Sequence, residues 1–292
     1  MARARAGAIV RTPHGASHPV PLNAGAAIHS VRAAAASSIA RLRAALEGVA
    51  VPIHVHAAEQ RAELRDCVAA TGLTPVACLA QQHGLDARWQ LVHATHVTAE
   101  EIDAVAAAGA GVVICPGTEA NLGDGFTDVP RWLDAGVDLA VGSDSQVVRT
   151  WREELRWMEY GQRLRLERRN VCARPADAGS HTSRGIDSRS QPDTAGRLFE
   201  SALRGGGRAA GEARWGLEVG ARADLLVIDT GDASLVGLPA GHWLDALVFS
   251  SPGRPWRDVM VAGHWAVRNH HHPGATSIAG RFAQAMQEIW GR

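Results

Sequence analysis

The segment HVHAAEQ at 54–60 places two imidazoles two residues apart and a carboxylate three residues beyond the second. Two apart on a strand, His54 and His56 face the same way, and Glu59 falls at the turn into the next helix. One reading of that spacing is a metal ligand beside a general acid/base. The other is a hydrogen-bonded pair of core histidines, with Glu59 merely opening a helix. LVHATH at 91–96 supplies His93, and GSDS at 142–145 supplies Asp144. Taken singly, His93 reads as a structural histidine and Asp144 as a helix cap. Taken together, His56, Glu59, His93 and Asp144 form an ordered series suited to a zinc- or iron-type site, where metal acidifies water and Glu59 shuttles the proton.

Three further segments carry polar groups. CPGTEANLGDG (115–125) is Gly-rich, but its glycine spacing is wrong for a phosphate loop and it has no Lys. It is expected to be a loop in which Glu119 and Asn121 touch substrate or simply hold a turn. IHSVR (28–32) offers His29 and Arg32. Arg32 could pair bidentately with a substrate carboxylate, or sit solvated at a helix start. His270, His271 and His272 read as a solvated turn, with no acidic or Cys partner nearby in the sequence.

The elements that must position these residues alternate. Short apolar segments at 26–29, 51–56, 90–94, 111–115 and 137–142 are expected as strands, with helices over 31–48, 59–72, 99–108 and 151–168. Gly72 is a C-terminal stop, and Thr98-Ala-Glu-Glu101 is a capping box. Strand and helix in that rhythm imply parallel βα units, and continuously apolar strands imply burial on both faces. His56, His93 and Asp144 each fall at the C-terminal end of a different strand, where a (β/α)8 barrel gathers its catalytic groups. The fold class expected is therefore α/β: a barrel and a doubly wound sheet both fit the rhythm, and the polar strand ends favour a partial barrel over 26–215. Residues 1–25 are expected to be irregular or disordered. A loop is expected over 173–193. Short β segments at 223–229, 245–250 and 258–268 suggest a small sheet within 216–272, followed by a C-terminal helix in 273–292.

Composition narrows the function classes. The 292 residues balance 30 basic against 30 acidic side chains, and every basic one is Arg. A formal charge of zero argues against a nucleic-acid or membrane-surface protein, and 46% hydrophobic residues suffice for a core. No apolar run reaches the length of a membrane span, and the first residues lack the apolar stretch of a signal peptide. Four scattered Cys without a CxxC pair fit free thiols in a reducing cytoplasm.

The ordered set HVHAAEQ, LVHATH, CPGTEANLGDG, GSDS and EELRWMEYGQRL resembles the amidohydrolase superfamily, and within it the formimidoylglutamate deiminase branch of histidine degradation. TEANLGDG and the 153–164 helix carry the narrower resemblance, which runs from about Ala27 to the C terminus. GARADLLVID (220–229) is similar to the superfamily segment that leads into a small β-sandwich. The resemblance implies a metal-dependent hydrolase with a (β/α)8 TIM barrel. His56 and Asp144 would ligate one zinc, with iron as the alternative ion. Asp144 would also handle a proton of the attacking water, Glu59 would deliver it to the departing ammonia, and His93 would polarise the formimino group. His29 and Arg32 would hold the glutamate moiety. The partner implied is a small-molecule substrate, with no nucleic acid and no membrane, and a homodimer is compatible with it.

A superfamily member is also expected to carry an HxH on its first barrel strand. His54-Val55-His56 has that spelling, but the following AEQ and the downstream order mark it as a fifth-strand site. With about five of eight strands in view, the chain is expected to be the C-terminal two-thirds of a longer enzyme, with a remnant of the sandwich. On its own it is expected to bind zinc weakly and to lack deiminase activity. The competing readings are another aminohydrolase of the superfamily, of guanine deaminase or chlorohydrolase type, and a non-catalytic remnant.

Overall fold

The computed structural model describes residues 7–11, 17–21, 23–174, 193–250, 253 and 255–291. Most of the loop expected at 173–193 lies outside the described residues. The chain divides into two compact units, one of residues 24–213 with 238–251, the other of 1–23, 214–237 and 252–292.

In the second unit, strands β1 (Gly7–Arg11) and β2 (Ser17–Pro21) pair antiparallel, from Gly7 opposite Pro21 to Arg11 opposite Ser17. Residues 7–11 and 17–21 are thus strands where irregular chain was expected over 1–25, and the rest of 1–22 lies outside the described residues. Ladder pairing is made by backbone groups, which a short Pro- and Gly-rich stretch does not advertise in its side-chain pattern.

The larger unit is built on a five-stranded sheet of β3 (Ala26–Ser30), β4 (Ile53–Ala57), β5 (Trp89–His93), β6 (Gly111–Ile114) and β7 (Leu139–Val141), in that order. All four pairings are parallel. The helices between them are α1 (Ala36–Ala45), α2 (Arg61–Thr71), α3 (Pro75–Gln82), α4 (Ala99–Ala107), α5 (Pro116–Leu122) and α6 (Val129–Asp134). After β7 come α7 (Trp151–Leu166) and α8 (Thr194–Ala209). This is the expected α/β architecture, with five parallel strands of a (β/α) barrel among the described residues.

The strands form where the sequence is apolar because both faces are covered. Trp89 and Leu91 of β5 and Val112 and Ile114 of β6 are fully buried, beside Ile53 and Val55 of β4. The Thr98 hydroxyl accepts the Glu101 N–H at 3.3 Å and the Glu101 carboxylate accepts the Thr98 N–H at 2.8 Å, which is the capping box expected at the start of α4. Gly72 ends α2 in the left-handed conformation that a residue without a Cβ adopts at no steric cost. Close to β7, α8 approaches until a Cβ on Gly205 would lie 2.3 Å from the Leu139 carbonyl, so that position admits only glycine.

Two expectations fail in this unit. CPGTEANLGDG is not a loop throughout: Pro116 opens α5 and Gly123, left-handed, closes it. DALVFS is not a strand; it continues the short helix α9 (Trp243–Asp245) through a π-helical turn, Ala246–Ser250. A short apolar run does not distinguish a buried strand from a buried helix. Here Ala246, Leu247 and Val248 are buried, and the Leu247 and Val248 carbonyls accept from Arg152 and Arg156 of α7.

In the second unit, β8 (Leu225–Ile228), β9 (Trp256–Val261) and β10 (His264–Val267) form an antiparallel sheet in the order β10-β9-β8. The terminal helix α10 spans Ala275–Trp290. His270 is not simply solvated: its Nε2 lies 2.8 Å from the Asp229 carboxylate, a partner 41 residues away. All four cysteines are free and buried. Among the described residues no helix is long and apolar enough to cross a membrane.

Candidate active site

Strand β4 alternates, with Ile53, Val55 and Ala57 buried and His54 and His56 on the opposite face. The two histidines that share a face have different fates. His54 Nε2 bonds the Ala209 carbonyl at 2.9 Å, an ordinary structural tie between β4 and the end of α8. His56 Nδ1 meets the His29 carbonyl at 2.7 Å, which leaves Nε2 as the free nitrogen. That carbonyl is available because the β3–β4 register slips between Ile28 and Ser30, so that His29 has no partner in the ladder. A bulge of this kind re-aims one residue without breaking the sheet.

At the end of β5, His93 and Ala94 adopt positive φ values of 73° and 48°; Ala58 after β4 has 56°, and Asp144 and Gln146 after β7 have 40° and 59°. Left-handed backbone at a residue other than glycine costs on the order of 1–3 kcal/mol and persists only where its surroundings over-determine it. Those surroundings are visible. The Ala94 and His96 N–H groups donate to the Ala57 and Ala58 carbonyls at 3.0 Å. The Thr127 hydroxyl donates to the Ala94 carbonyl at 2.6 Å and accepts from the Trp132 indole at 2.8 Å. On the other side, Thr118 contacts the Ser143 carbonyl, the Ser145 hydroxyl and the Ser145 N–H at 2.9–3.2 Å.

The strained strand ends bring together groups that are far apart in sequence. His56, His93 and Asp144 can each offer one ligand atom, all within 4.8 Å of one another. The His56 and His93 rings stack with centroids 5.6 Å apart, and His29 lies 5.3 Å from His56 on the other side. Glu59 reaches the same point, its carboxylate 3.8 Å from His93 Nε2. His93 is buried, His56 and Glu59 are half-buried, and Asp144, His29 and Arg32 are exposed. Two imidazoles and a carboxylate converging on one point, each imidazole with its Nδ1 engaged elsewhere, form a donor set that suits a divalent metal.

The electrostatics follow from the buried carboxylates. Burial alone would lower the His93 pKa, but the Glu119 hydrogen bond and the charges of Glu59, Glu119 and Asp144 outweigh it and raise it. Glu119, 1% exposed, is itself pushed up by burial. It therefore does not stand open to substrate as one sequence reading had it, whereas Asn121 is exposed. Glu154 of α7 is also buried and pushed up to about 7 by burial; it accepts the Gly117 N–H at 2.8 Å. Glu63 accepts the Glu59 N–H at 2.9 Å. Sequence reasoning gave no role to Glu63, Thr118 or Glu154. The spacing of four between Glu59 and Glu63 was the one local signal, since it lets a carboxylate of the first turn of α2 reach back to an N–H just before the helix.

Comparison with known proteins gives a consistent picture. The profile of the amidohydrolase family matches residues 3–266. A formimidoylglutamate deiminase of Pseudomonas aeruginosa is 41% identical over 265 residues, which is 91% of this chain and 55% of that protein. A 5-methylthioadenosine/S-adenosylhomocysteine deaminase of Moorella thermoacetica is 29% identical over 227 residues, 77% of this chain and 48% of that protein. Among solved structures, an amidohydrolase from Brucella melitensis is similar with a TM-score of 0.80 and 36% identity over 91% of this chain and 55% of that one. An adenosine deaminase from Xanthomonas campestris, solved with bound zinc, shares the fold with a TM-score of 0.77 at 24% identity, over 92% of this chain and 57% of that one. The chain spans about half the length of the curated relatives it matches.

Proposed function

The chain belongs to the amidohydrolase family, and from that premise we propose that it carries the chemistry of a formimidoylglutamate deiminase. The reaction is N-formimino-L-glutamate plus water to N-formyl-L-glutamate plus ammonia. The observation that carries this reading is the 41% identity to the Pseudomonas aeruginosa deiminase over 91% of the chain, a stretch that includes the convergent His56, Glu59, His93 and Asp144.

His56 and Asp144 are the residues we assign to a divalent metal, zinc first and iron as the alternative, on the mixed imidazole and carboxylate donor set. A metal held there supplies Lewis acidity that makes water nucleophilic at neutral pH. Asp144 accepts a proton as water attacks the formimino carbon. Glu59, within 3.8 Å of His93, carries that proton to the nitrogen that leaves as ammonia. Protonated on Nε2 as well as Nδ1, a form its neighbours favour by raising its pKa, His93 donates from Nε2 towards the formimino group and holds it polarised. His29, its ring tilted against that of His56, and the exposed Arg32 hold the glutamate moiety. A guanidinium fits a carboxylate bidentately, which a neutral purine or triazine would not require. Residues 216–272 we read as part of a small β-sandwich, and the setting as a cytoplasmic small-molecule enzyme.

The test begins with binding. Calorimetric titration of zinc-loaded protein with N-formyl-L-glutamate should give a complex that Arg32→Met weakens, by on the order of 2–5 kcal/mol if the ion pair is buried in the complex. Ammonia release from N-formimino-L-glutamate, lost in Asp144→Asn, is the second measurement, made on a chain extended to the length of its relatives because this one by itself is expected to lack activity. Binding of 5′-methylthioadenosine or guanine in preference to the glutamate compounds would overturn the assignment.

A further inference from the structure

The carboxylate of Glu119 is a buried group that the proposed reaction does not use. Glu119 and His93 are both 1% exposed, and Glu119 Oε1 lies 3.3 Å from His93 Nδ1. The same oxygen accepts the Cys115 N–H at 3.0 Å. An oxygen already accepting one hydrogen bond meets the imidazole as an acceptor again, so Nδ1 carries the proton. Nε2 is then the nitrogen that faces Glu59 and the point where His56 and Asp144 converge.

Glu119 is not free to turn away. Its N–H donates to the Cys115 carbonyl at 3.0 Å within the first turn of α5. That turn is fixed from two sides. The Gly117 N–H donates to Glu154 Oε2 at 2.8 Å, and the Thr118 hydroxyl is tied to Ser143 and Ser145. A Cβ at Gly117 would come within 2.5 Å of the Val148 side chain, so the turn is packed as well as bonded. His93 in turn sits on left-handed backbone, at φ 73°, where its ring direction depends on what grips it from outside the strand.

We propose that Glu119 is a positioning residue for His93, fixing its ring orientation and holding its proton on Nδ1 so that Nε2 alone faces the reacting groups. An imidazole in water prefers the proton on Nε2, so the grip of Glu119 selects the less common tautomer. Residues that orient a working imidazole through its far nitrogen typically change activity by about 10–100-fold when removed. The tautomer rests on the two contacts of Glu119 Oε1; the consequence for turnover rests on the deiminase reading.

The experiment is nitrogen NMR on the full chain, labelled at histidine and dialysed against a chelator so that no metal fixes the ring, with His93 in its neutral form. The wild-type spectrum should show His93 protonated on Nδ1. Glu119→Ala should move the proton to Nε2, and Glu119→Gln, which keeps an acceptor oxygen, should leave it on Nδ1. A wild-type ring protonated on Nε2 would overturn the proposal without recourse to any variant. So would an unchanged tautomer in a folded Glu119→Ala. In a metal-loaded chain extended to the length of its relatives, Glu119→Ala should lower kcat by about 10–100-fold with KM within about twofold. A merely structural role would lower the melting temperature and leave the tautomer alone. Absence of formimidoylglutamate turnover in that extended wild type would count against the deiminase reading, while the NMR measurement would still decide the role of Glu119.

Discussion

The Glu63 carboxylate accepts the backbone N–H of Glu59 at 2.9 Å, so the candidate acid/base is held by a second glutamate four residues along. Glu63 is 2% exposed, and burial pushes its pKa up against the opposing pull of the Glu59 N–H and the Arg32 charge. What the turn needs from residue 63 is thus an acceptor oxygen more than a negative charge. Glu63→Ala should lose about 1–3 kcal/mol of stability, because a buried N–H is left without its partner. Glu63→Gln should lose less than about 1 kcal/mol, since it keeps the oxygen. Urea unfolding of the two variants measures the difference, and equal losses would show that the charge matters instead.

Glu154 sets a pH dependence whose sign is fixed by its burial. Burial pushes its folded pKa up to about 7, from the ordinary 4.5 of an exposed glutamate. Below the lower value the folded and unfolded chains both hold the proton. Between the two values the folded chain holds it and the unfolded chain has released it, so stability falls as pH rises and levels off above about 7. Over that window the wild type should lose about 2–4 kcal/mol relative to Glu154→Gln, which cannot ionise. Denaturant titrations of both proteins at pH 4.5, 6 and 8 check it, and parallel pH profiles would refute it.

Adjacent glycines of α8 should respond oppositely to the same substitution. At Gly205 a Cβ would meet the Leu139 carbonyl at 2.3 Å, whereas at Gly206 nothing lies within 4 Å. Gly205→Ala should destabilise by about 1–3 kcal/mol or more, as overpacking pushes the helix off β7. Gly206→Ala should stabilise by about 0.5–1 kcal/mol, because alanine loses less backbone freedom in a helix. Thermal melting of the pair measures the two effects, and a Gly205→Ala variant as stable as the wild type would refute the first.

Glu59→Gln separates proton transfer from metal binding. In a chain extended to the length of its relatives, the variant should retain its metal and lose about 10²–10⁴-fold in turnover, since an amide cannot relay a proton. Metal content by atomic emission, measured beside ammonia release, distinguishes the roles. Loss of metal together with turnover would place Glu59 among the ligands.

Much of the sheet was legible in the sequence because its strands are buried on both faces and so must be apolar throughout; Trp89–His93 and Gly111–Ile114 are read directly. Local chemistry also sufficed for the Thr98–Glu101 cap, which is complete within four residues. The types and order of His56, Glu59, His93 and Asp144 were likewise visible, since each closes an apolar segment. Local pattern could not reveal how the two histidines of HVH divide their work. His54 and His56 share a face, and only the Ala209 carbonyl at one end and the His29 carbonyl at the other separate a tie from a site residue. DALVFS misled for a related reason, because its helical form depends on burial against α7 rather than on its own periodicity. The grip of Glu119 on His93 joins residues 26 apart, and that of Glu154 on Gly117 joins residues 37 apart. Sequence fixes which groups stand at the strand ends. The left-handed turns at His93 and Asp144, and the Thr127 and Thr118 hydroxyls that brace them, exist only once parallel strands have brought those ends within hydrogen-bonding distance, so the aim of each side chain is a tertiary property.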